Sequence, residues 1–355
     1  MESQRPVSSP EAEVVPAPRE RLLASIQALR ALAAWSVVVH HYCLIFTVKD
    51  PSGWRQAFID HGAAGVDVFF VISGFVMGLS ANDPAITPRR FLAKRLGRIV
   101  PAYWLSTGVV ALLITRVPEM MLNQGYSPEL LVKSLLFLPA QNPSGIGLVP
   151  INTVGWSLNA EMAFYAIVAL SLFTQRPQRW LWIVCGVVVL QKLLSPLGVV
   201  SSFYGEPILY EFLMGIAAAR LWQAGALRGP GWLFGGLAVL AIVCLLRPPA
   251  PSGLVREIDY GAPAFLLVCA ALGLERYVAR AGVLVHLGNH SYSVYLIHPT
   301  ILYAGWYAHR ARAGHGRLIS AGCFVGIALI GAASYRWLER PAGRLLTRRL
   351  LPRER

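Results

Sequence analysis

About ten stretches of roughly 20 mostly apolar residues follow one another along this chain, and that repetition constrains the fold more than any single motif. A helix of that length crosses about 30 Å of hydrocarbon. The runs lie at approximately 22–46, 62–81, 99–117, 151–174, 180–198, 205–222, 231–246, 260–274, 290–308 and 318–338. Hydrocarbon offers no hydrogen bonds, so each run must satisfy its own backbone. The expected fold is therefore all-α, a polytopic membrane bundle of about ten transmembrane helices. Composition agrees, with 55% hydrophobic and only 14% charged residues, against roughly one quarter charged in soluble chains. The segment "LLVKSLLFLPA", 130–140, is too short to span and reads as a re-entrant or interfacial helix.

Charge sets the expected orientation. The formal net charge is +14, but the basic residues sit in short clusters between apolar runs, which is how membrane helices are oriented and not how nucleic acid is bound. With the N-terminus inside, Arg89, Arg90, Lys94, Arg95 and Arg98 fall in a cytoplasmic loop, as do Arg176 with Arg179, Arg220 with Arg228, and Arg276 with Arg280. Arg247, Arg256, Arg310, Arg312 and Arg317 fall outside. Both termini are thus expected to be cytoplasmic. The first twenty residues, "MESQRPVSSPEAEVVPAPRE", are too rich in proline and charge to fold alone. No small-residue cleavage site follows the first apolar run, which is read as a retained span. The expected division is a disordered cytoplasmic tail at 1–21, a membrane domain at 22–345 and a basic cytoplasmic tail at 346–355. Cys43, Cys185, Cys244, Cys269 and Cys323 are odd in number and widely spaced, with no CxxC pair, so neither a disulfide nor a metal site is expected.

Within this apolar background a few polar residues stand out. "LRALAAWSVVVHHYC", 29–43, puts Arg30, His40 and His41 inside the first span. At about 100° per residue, Arg30 and His41 differ by about 20° around the helix and about 16 Å along it. They share a face, whereas His40 is turned about 80° from Arg30. His41 is therefore the candidate, because an ionisable group within a span is a functional hypothesis by default; the alternative is that both histidines reach headgroups. Asp67 in "HGAAGVDVFFVISGFVMG" lies at a similar depth on the second span, either as a partner for His41 or as a helix-terminal cap. In "TVGWSLNAEMAFYAIVAL", Ser157, Glu161 and Tyr165 form an i, i+4, i+8 stripe, and a carboxylate two turns into a span needs a partner. Gly74 and Gly78 make a small-xxx-small packing face. In "GNHSYSVYLIHPT", Ser291, Tyr295 and His298 share a stripe beside Tyr292 and suit either a polar cavity wall or an interfacial anchor.

Five segments in order, "IQALRALAAWSVVVHH", "GVDVFFVISGFVMG", "RFLAKRLGRIVPAYWL", "GWSLNAEMAFYAIVAL" and "GNHSYSVYLIHP", resemble the acyltransferase 3 family of integral membrane acyltransferases. The resemblance is strongest to bacterial members that O-acetylate exopolysaccharide, and it runs from about residue 22 to 345. It implies a ten-helix membrane domain in the bacterial inner (plasma) membrane, moving an acyl group from cytoplasmic acyl-CoA, with acetyl-CoA as the default, to a carbohydrate hydroxyl. The acceptor is free or lipid-linked. The family's arginine and histidine, separated by ten residues, fall on Arg30 and His41; its arginine pair falls on Arg95 and Arg98. Its tryptophan, glutamate and tyrosine correspond to Trp156, Glu161 and Tyr165, and its tyrosine and histidine-proline ending to Tyr292, Tyr295 and His298. Ala160 departs from the bulkier residue common before the glutamate. The short C-terminal tail leaves no room for the hydrolase-like domain fused to some members, so a stand-alone enzyme is expected.

The chemistry this implies follows from the donor. A thioester is already activated, so the main task is to take a proton from the attacking hydroxyl, and histidine, which titrates near neutrality, suits it. His41 is the expected general base, with Asp67 or Glu161 holding its tautomer. Arg30, Arg95 and Arg98 are the expected donor-binding groups, because phosphates favour guanidinium forks. Trp156, Ser157, Tyr165, Tyr292, Tyr295 and His298 are the expected cavity and acceptor residues. No bound cofactor or metal is expected. A carbohydrate exporter or permease is the alternative reading of ten spans with buried charge, and no repeat between the two halves supports it. A membrane scaffold would leave the Arg30 and His41 stripe unexplained.

Overall fold

The computed structural model describes residues 23–47, 52–121, 124–247, 257–278, 282–311 and 316–350. The tail at 1–21, Arg256, Arg280, Arg312 and the last five residues lie outside them. The chain forms α1 (Ala24–Phe46), α2 (Trp54–His61), α3 (Gly65–Asn82), α4 (Pro88–Arg116) and α5 (Pro128–Leu135). It continues through α6 (Trp156–Ser171), α7 (Arg179–Val189), α8 (Leu209–Gln223), α9 (Gly231–Leu245) and α10 (Ala262–Gly273). The last elements are α11 (Glu275–Val278), α12 (Gly282–Asn289), α13 (Ser291–Ala311), α14 (Gly316–Ser334) and α15 (Arg340–Leu350). No strand occurs among the described residues, as the all-α expectation requires.

Among the described residues four helical stretches are long and apolar enough to cross a bilayer: Ala24–Phe46, Trp54–Asn82, Pro88–Arg116 and Gly316–Leu350. The other expected runs carry α6 to α10 and α13, which fall short of that measure in length or apolarity. Large apolar side chains face outward, among them Phe173, Trp182, Trp232, Val239, Leu329 and Trp337, which are between 54% and 78% exposed. So much outward apolar surface fits lipid and not water.

Small residues set how the helices pack. Ala28, Ala31, Ala33 and Ala34 are buried on α1 and let α3, α12 and α13 close around it. The expected small face of α3 meets α8: a Cβ on Gly74 would collide with the Phe212 carbonyl oxygen, and one on Gly215 with that of Val71. A Cβ on Gly78 would stand 2.8 Å from that of Ala219. These two backbones therefore touch, and α3 is held at the depth and rotation that aim its serines inward.

Two expectations about boundaries change. The basic segment before residue 99 is helix and not loop: the Thr87 side chain accepts from the Arg90 amide at 3.2 Å, and Pro88 opens α4 at its first position. This start signal carries Arg95 and Arg98 onto the helix. At the other end, a π-helical turn at Tyr335–Glu339 continues α14 into α15, which crosses the expected boundary at residue 345. The segment at 130–140 forms only the eight-residue α5, capped by Ser127, whose side chain accepts from the Leu130 amide at 3.0 Å.

Candidate active site

α1, α3, α4, α6 and α13 converge on a narrow, partly enclosed cavity between the helices. One end is cationic. Arg30, 8% exposed, projects from α1 to meet Arg95 and Arg98 of α4. Arg95, also buried, donates through Nη2 to Ser80 Oγ at 2.7 Å, and its guanidinium lies 5.7 Å from the Phe91 ring centroid. Three cations around one cavity are costly unless an anion faces them.

Glu161 of α6 is that cavity's carboxylate. Its Oε1 accepts from Ser73 Oγ at 2.9 Å and from the Tyr165 hydroxyl one helical turn on. Tyr165 in turn meets Phe91 edge to face at 6.0 Å. The i, i+4, i+8 stripe read from the sequence is thus realised, with Ser157 and Tyr165 in the same wall. Toward α13 the wall continues through Tyr292, whose hydroxyl donates to the Ile99 carbonyl at 2.8 Å. Tyr295, Ser157 and the Val154 carbonyl close a hydrogen-bonded triangle with sides of 2.9, 3.0 and 3.1 Å.

Beyond Tyr295, and outside the residues that line the cavity, lie two histidines. His298 is fully buried, and its Nδ1 lies 2.7 Å from the Tyr295 carbonyl. A carbonyl only accepts, so Nδ1 carries the proton and Nε2 of neutral His298 is left as an acceptor. That Nε2 faces His41 Nδ1 at 3.2 Å, and the same His41 nitrogen lies 2.9 Å from the Val37 carbonyl. His41 Nδ1 therefore donates, and Nε2 of neutral His41 is left with its lone pair. His40 points elsewhere, with Nδ1 2.9 Å from the Phe58 carbonyl.

The structure places the remaining expected residues as follows. His41 Nδ1 meets the Val37 carbonyl and His298, and Glu161 is engaged by Ser73 and Tyr165. Asp67 is fully buried in the first turn of α3, but Ala64 and not Asp67 occupies the N-cap position. Trp156 lies apart from the main cavity, in a recess with Leu148, Phe203 and Glu206, and packs on Phe70 at 6.0 Å. Arg95 and Arg98 come from a helix and not a loop.

Sequence reading passed over Ser73, Ser80 and Glu339. Ser73 and Ser80 are seven positions apart on an apolar span, a helical-face signal as legible as the one that singled out Glu161. Glu339, 6% exposed, accepts from Ser293 Oγ at 2.8 Å and sits on the π-helical turn. Such turns recur at functional sites. Among the described residues no cluster of three or more candidate metal ligands occurs.

Comparison with known proteins fits this arrangement. The acyltransferase 3 family model, described as an acyltransferase domain, matches residues 23–337. The exopolysaccharide production protein ExoZ of Rhizobium meliloti (strain 1021) is 36% identical over 299 residues, covering 79% of this chain and 89% of that protein. The acyltransferase MdmB of Streptomyces mycarofaciens is 28% identical over 369 residues, covering 94% of each chain. No solved structure matches the chain. With apolar helices facing lipid, a polar cavity at their centre and a family match over most of its length, the chain is a multi-pass integral membrane enzyme transferring acyl groups other than aminoacyl groups, and it belongs to the acyltransferase 3 family.

Proposed function

We propose that this enzyme takes an acyl group, acetyl by default, from cytoplasmic acyl-CoA and delivers it to a hydroxyl of a cell-surface or exported carbohydrate. In this reading about ten helices span the bacterial inner membrane and both termini are cytoplasmic. The observation that carries it is a cavity with three arginines that runs to Tyr295, one turn from a histidine pair in which Nδ1 of His41 is engaged and its Nε2 is left to accept a proton. Arg30, Arg95 and Arg98 would receive donor phosphates, as guanidinium forks favour. The separation of about 16 Å along α1 between Arg30 and His41 is comparable with an extended pantetheine arm.

At the histidine end, His41 Nε2 would take the proton of the attacking hydroxyl as the oxygen adds to the thioester carbonyl. The imidazolium that forms would be stabilised through Nδ1–H by the Val37 carbonyl and His298 Nε2, the role that sequence reading had reserved for a carboxylate. Collapse of the tetrahedral intermediate expels the CoA thiolate, and the proton held by His41 neutralises it. Tyr295, Tyr292 and Ser157 line the way between the two ends, while Glu161 balances the arginines and orders Tyr165. A carbohydrate acceptor is supported by a relative named for exopolysaccharide production. Purified protein supplied with labelled acetyl-CoA and candidate polysaccharides tests the reading: label should move to the carbohydrate. Carbohydrate uptake or release by proteoliposomes with no transfer of label would make the protein an exporter instead.

A further inference from the structure

The π-helical turn at Tyr335–Glu339 hands the chain to α15, whose sequence "RPAGRLLTRRL" places Arg340, Arg344 and Arg348 at i, i+4 and i+8. They stack on one face, and all three are exposed. That face and the start of α4 line an open basin with about 800 Å³ of empty space, to which α4 contributes Lys94 and Arg98. The two helices meet backbone to backbone: a Cβ on Gly343 would stand 2.9 Å from the Gly97 carbonyl oxygen, and one on Gly97 3.1 Å from that of Gly343. Five cations are therefore held around one concavity by a close backbone contact between two glycines.

Like charges a helical turn apart repel, and the basin sets five cations against one lining carboxylate, Glu339. The ion pair of Lys133 with Glu129 lies on α5 and not in the basin. The carboxylate lining the basin, Glu339, is buried and engaged by Ser293. Successive arginines of the stripe are spaced about 6 Å along the axis, which suits an anion carrying several separate phosphates. Arg98 lines both this basin and the cavity of Arg30 and Arg95, so the two spaces share a wall. The family match ends at residue 337, before α15 begins.

We propose that the basin between α4 and α15 binds the phosphates of the donor's nucleotide, with Arg340, Arg344, Arg348 and Lys94 as an outer subsite and Arg98 at the junction with the cavity. The proposal rests on acyl-CoA being the donor, as inferred above. Its nucleotide end stays in the basin while the thioester arm passes Arg98 toward Tyr295. A shallow interfacial helix binding lipid headgroups uses the same charge chemistry, and the experiment separates the two.

Full-length protein in nanodiscs of phosphatidylcholine is assayed with acetyl-CoA and with S-acetylpantetheine, which keeps the thioester and lacks the nucleotide. Binding of adenosine bisphosphate is measured in parallel. The double variant Arg344→Gln with Arg348→Gln should raise KM for acetyl-CoA at least about tenfold and weaken adenosine bisphosphate by a similar factor, while KM for S-acetylpantetheine stays unchanged. Arg349→Gln, an exposed charge that does not line the basin, should change none of these. An unchanged affinity for adenosine bisphosphate in the double variant overturns the subsite. So does a double variant whose only defect is weaker recovery in nanodiscs containing phosphatidylglycerol, which assigns the stripe to lipid. Phosphate binding that behaves as expected with no acyl transfer from either donor would leave the subsite standing and remove the reaction proposed above; normal transfer with unchanged donor constants would do the reverse.

Discussion

The two ends of the polar path are built differently. At the arginine end, three cations converge from two helices onto space a ligand could fill, and of their side-chain contacts the Arg95 bond to Ser80 and the ring of Phe91 are neutral. At the histidine end, the polar atoms satisfy one another: the His298 Nδ1–H is spent on a carbonyl, its Nε2 on His41, and the His41 Nδ1–H on a second carbonyl. Three arginines facing one cavity carboxylate leave an excess of positive charge, the property of a site that recruits an anion. A closed hydrogen-bond chain with one open lone pair is the property of a site that moves a proton, since its tautomers are settled before substrate arrives.

The sharpest way to break this contrast is at the open lone pair. His41→Ala should lower turnover by about two to four orders of magnitude, the usual worth of a general base, with folded yield retained. Near-normal transfer of label by a well-expressed variant would end the general-base role. At the other end, Arg95→Gln with Arg98→Gln should raise KM for acyl-CoA about a hundredfold and leave turnover much less affected, because phosphate contacts are made equally in ground and transition states. Membrane insertion is measured alongside, because these charges also bear on orientation. A correctly inserted variant with an unchanged donor constant would assign the pair to topology alone.

Glu161 lies between the two regimes. Glu161→Gln keeps the shape and much of the hydrogen bonding to Ser73 and Tyr165 but removes the charge facing the arginines, so turnover should fall about tenfold to a hundredfold, further than folded yield. Asp67→Asn is the comparison; if it loses turnover and Glu161→Gln loses only yield, the working carboxylate is Asp67. The smallest effects sharpen the histidine end. His298→Gln should cost about tenfold in turnover with an unchanged donor constant, as expected for losing one hydrogen bond to a developing charge. His40→Ala, which gives up the contact to the Phe58 carbonyl and the edge contact to the His41 ring, should stay within about threefold. Equal losses at His40 and His298 would mean that the shared requirement is a packed helix end and not a proton path.

Much of this was legible before any coordinates. The length and apolarity of the runs dictate helices in lipid, because no other local structure satisfies a backbone in hydrocarbon. The register of Arg30 with His41 and of Ser157 with Glu161 and Tyr165 follows from 3.6 residues per turn, a property of one helix alone. The meeting of His41 with His298 does not follow, for those residues are 257 positions apart. Their contact depends on how far α1 and α13 are rotated and how closely their backbones approach, and that is decided by alanines and glycines scattered over several helices. The same holds for Arg95 finding Ser80 and for α15 closing a basin against Gly97. Periodicity is encoded locally, and so the sequence determined which side chains share a helix face; pairing between helices is a collective outcome of packing, and only the tertiary structure brought His298 against His41.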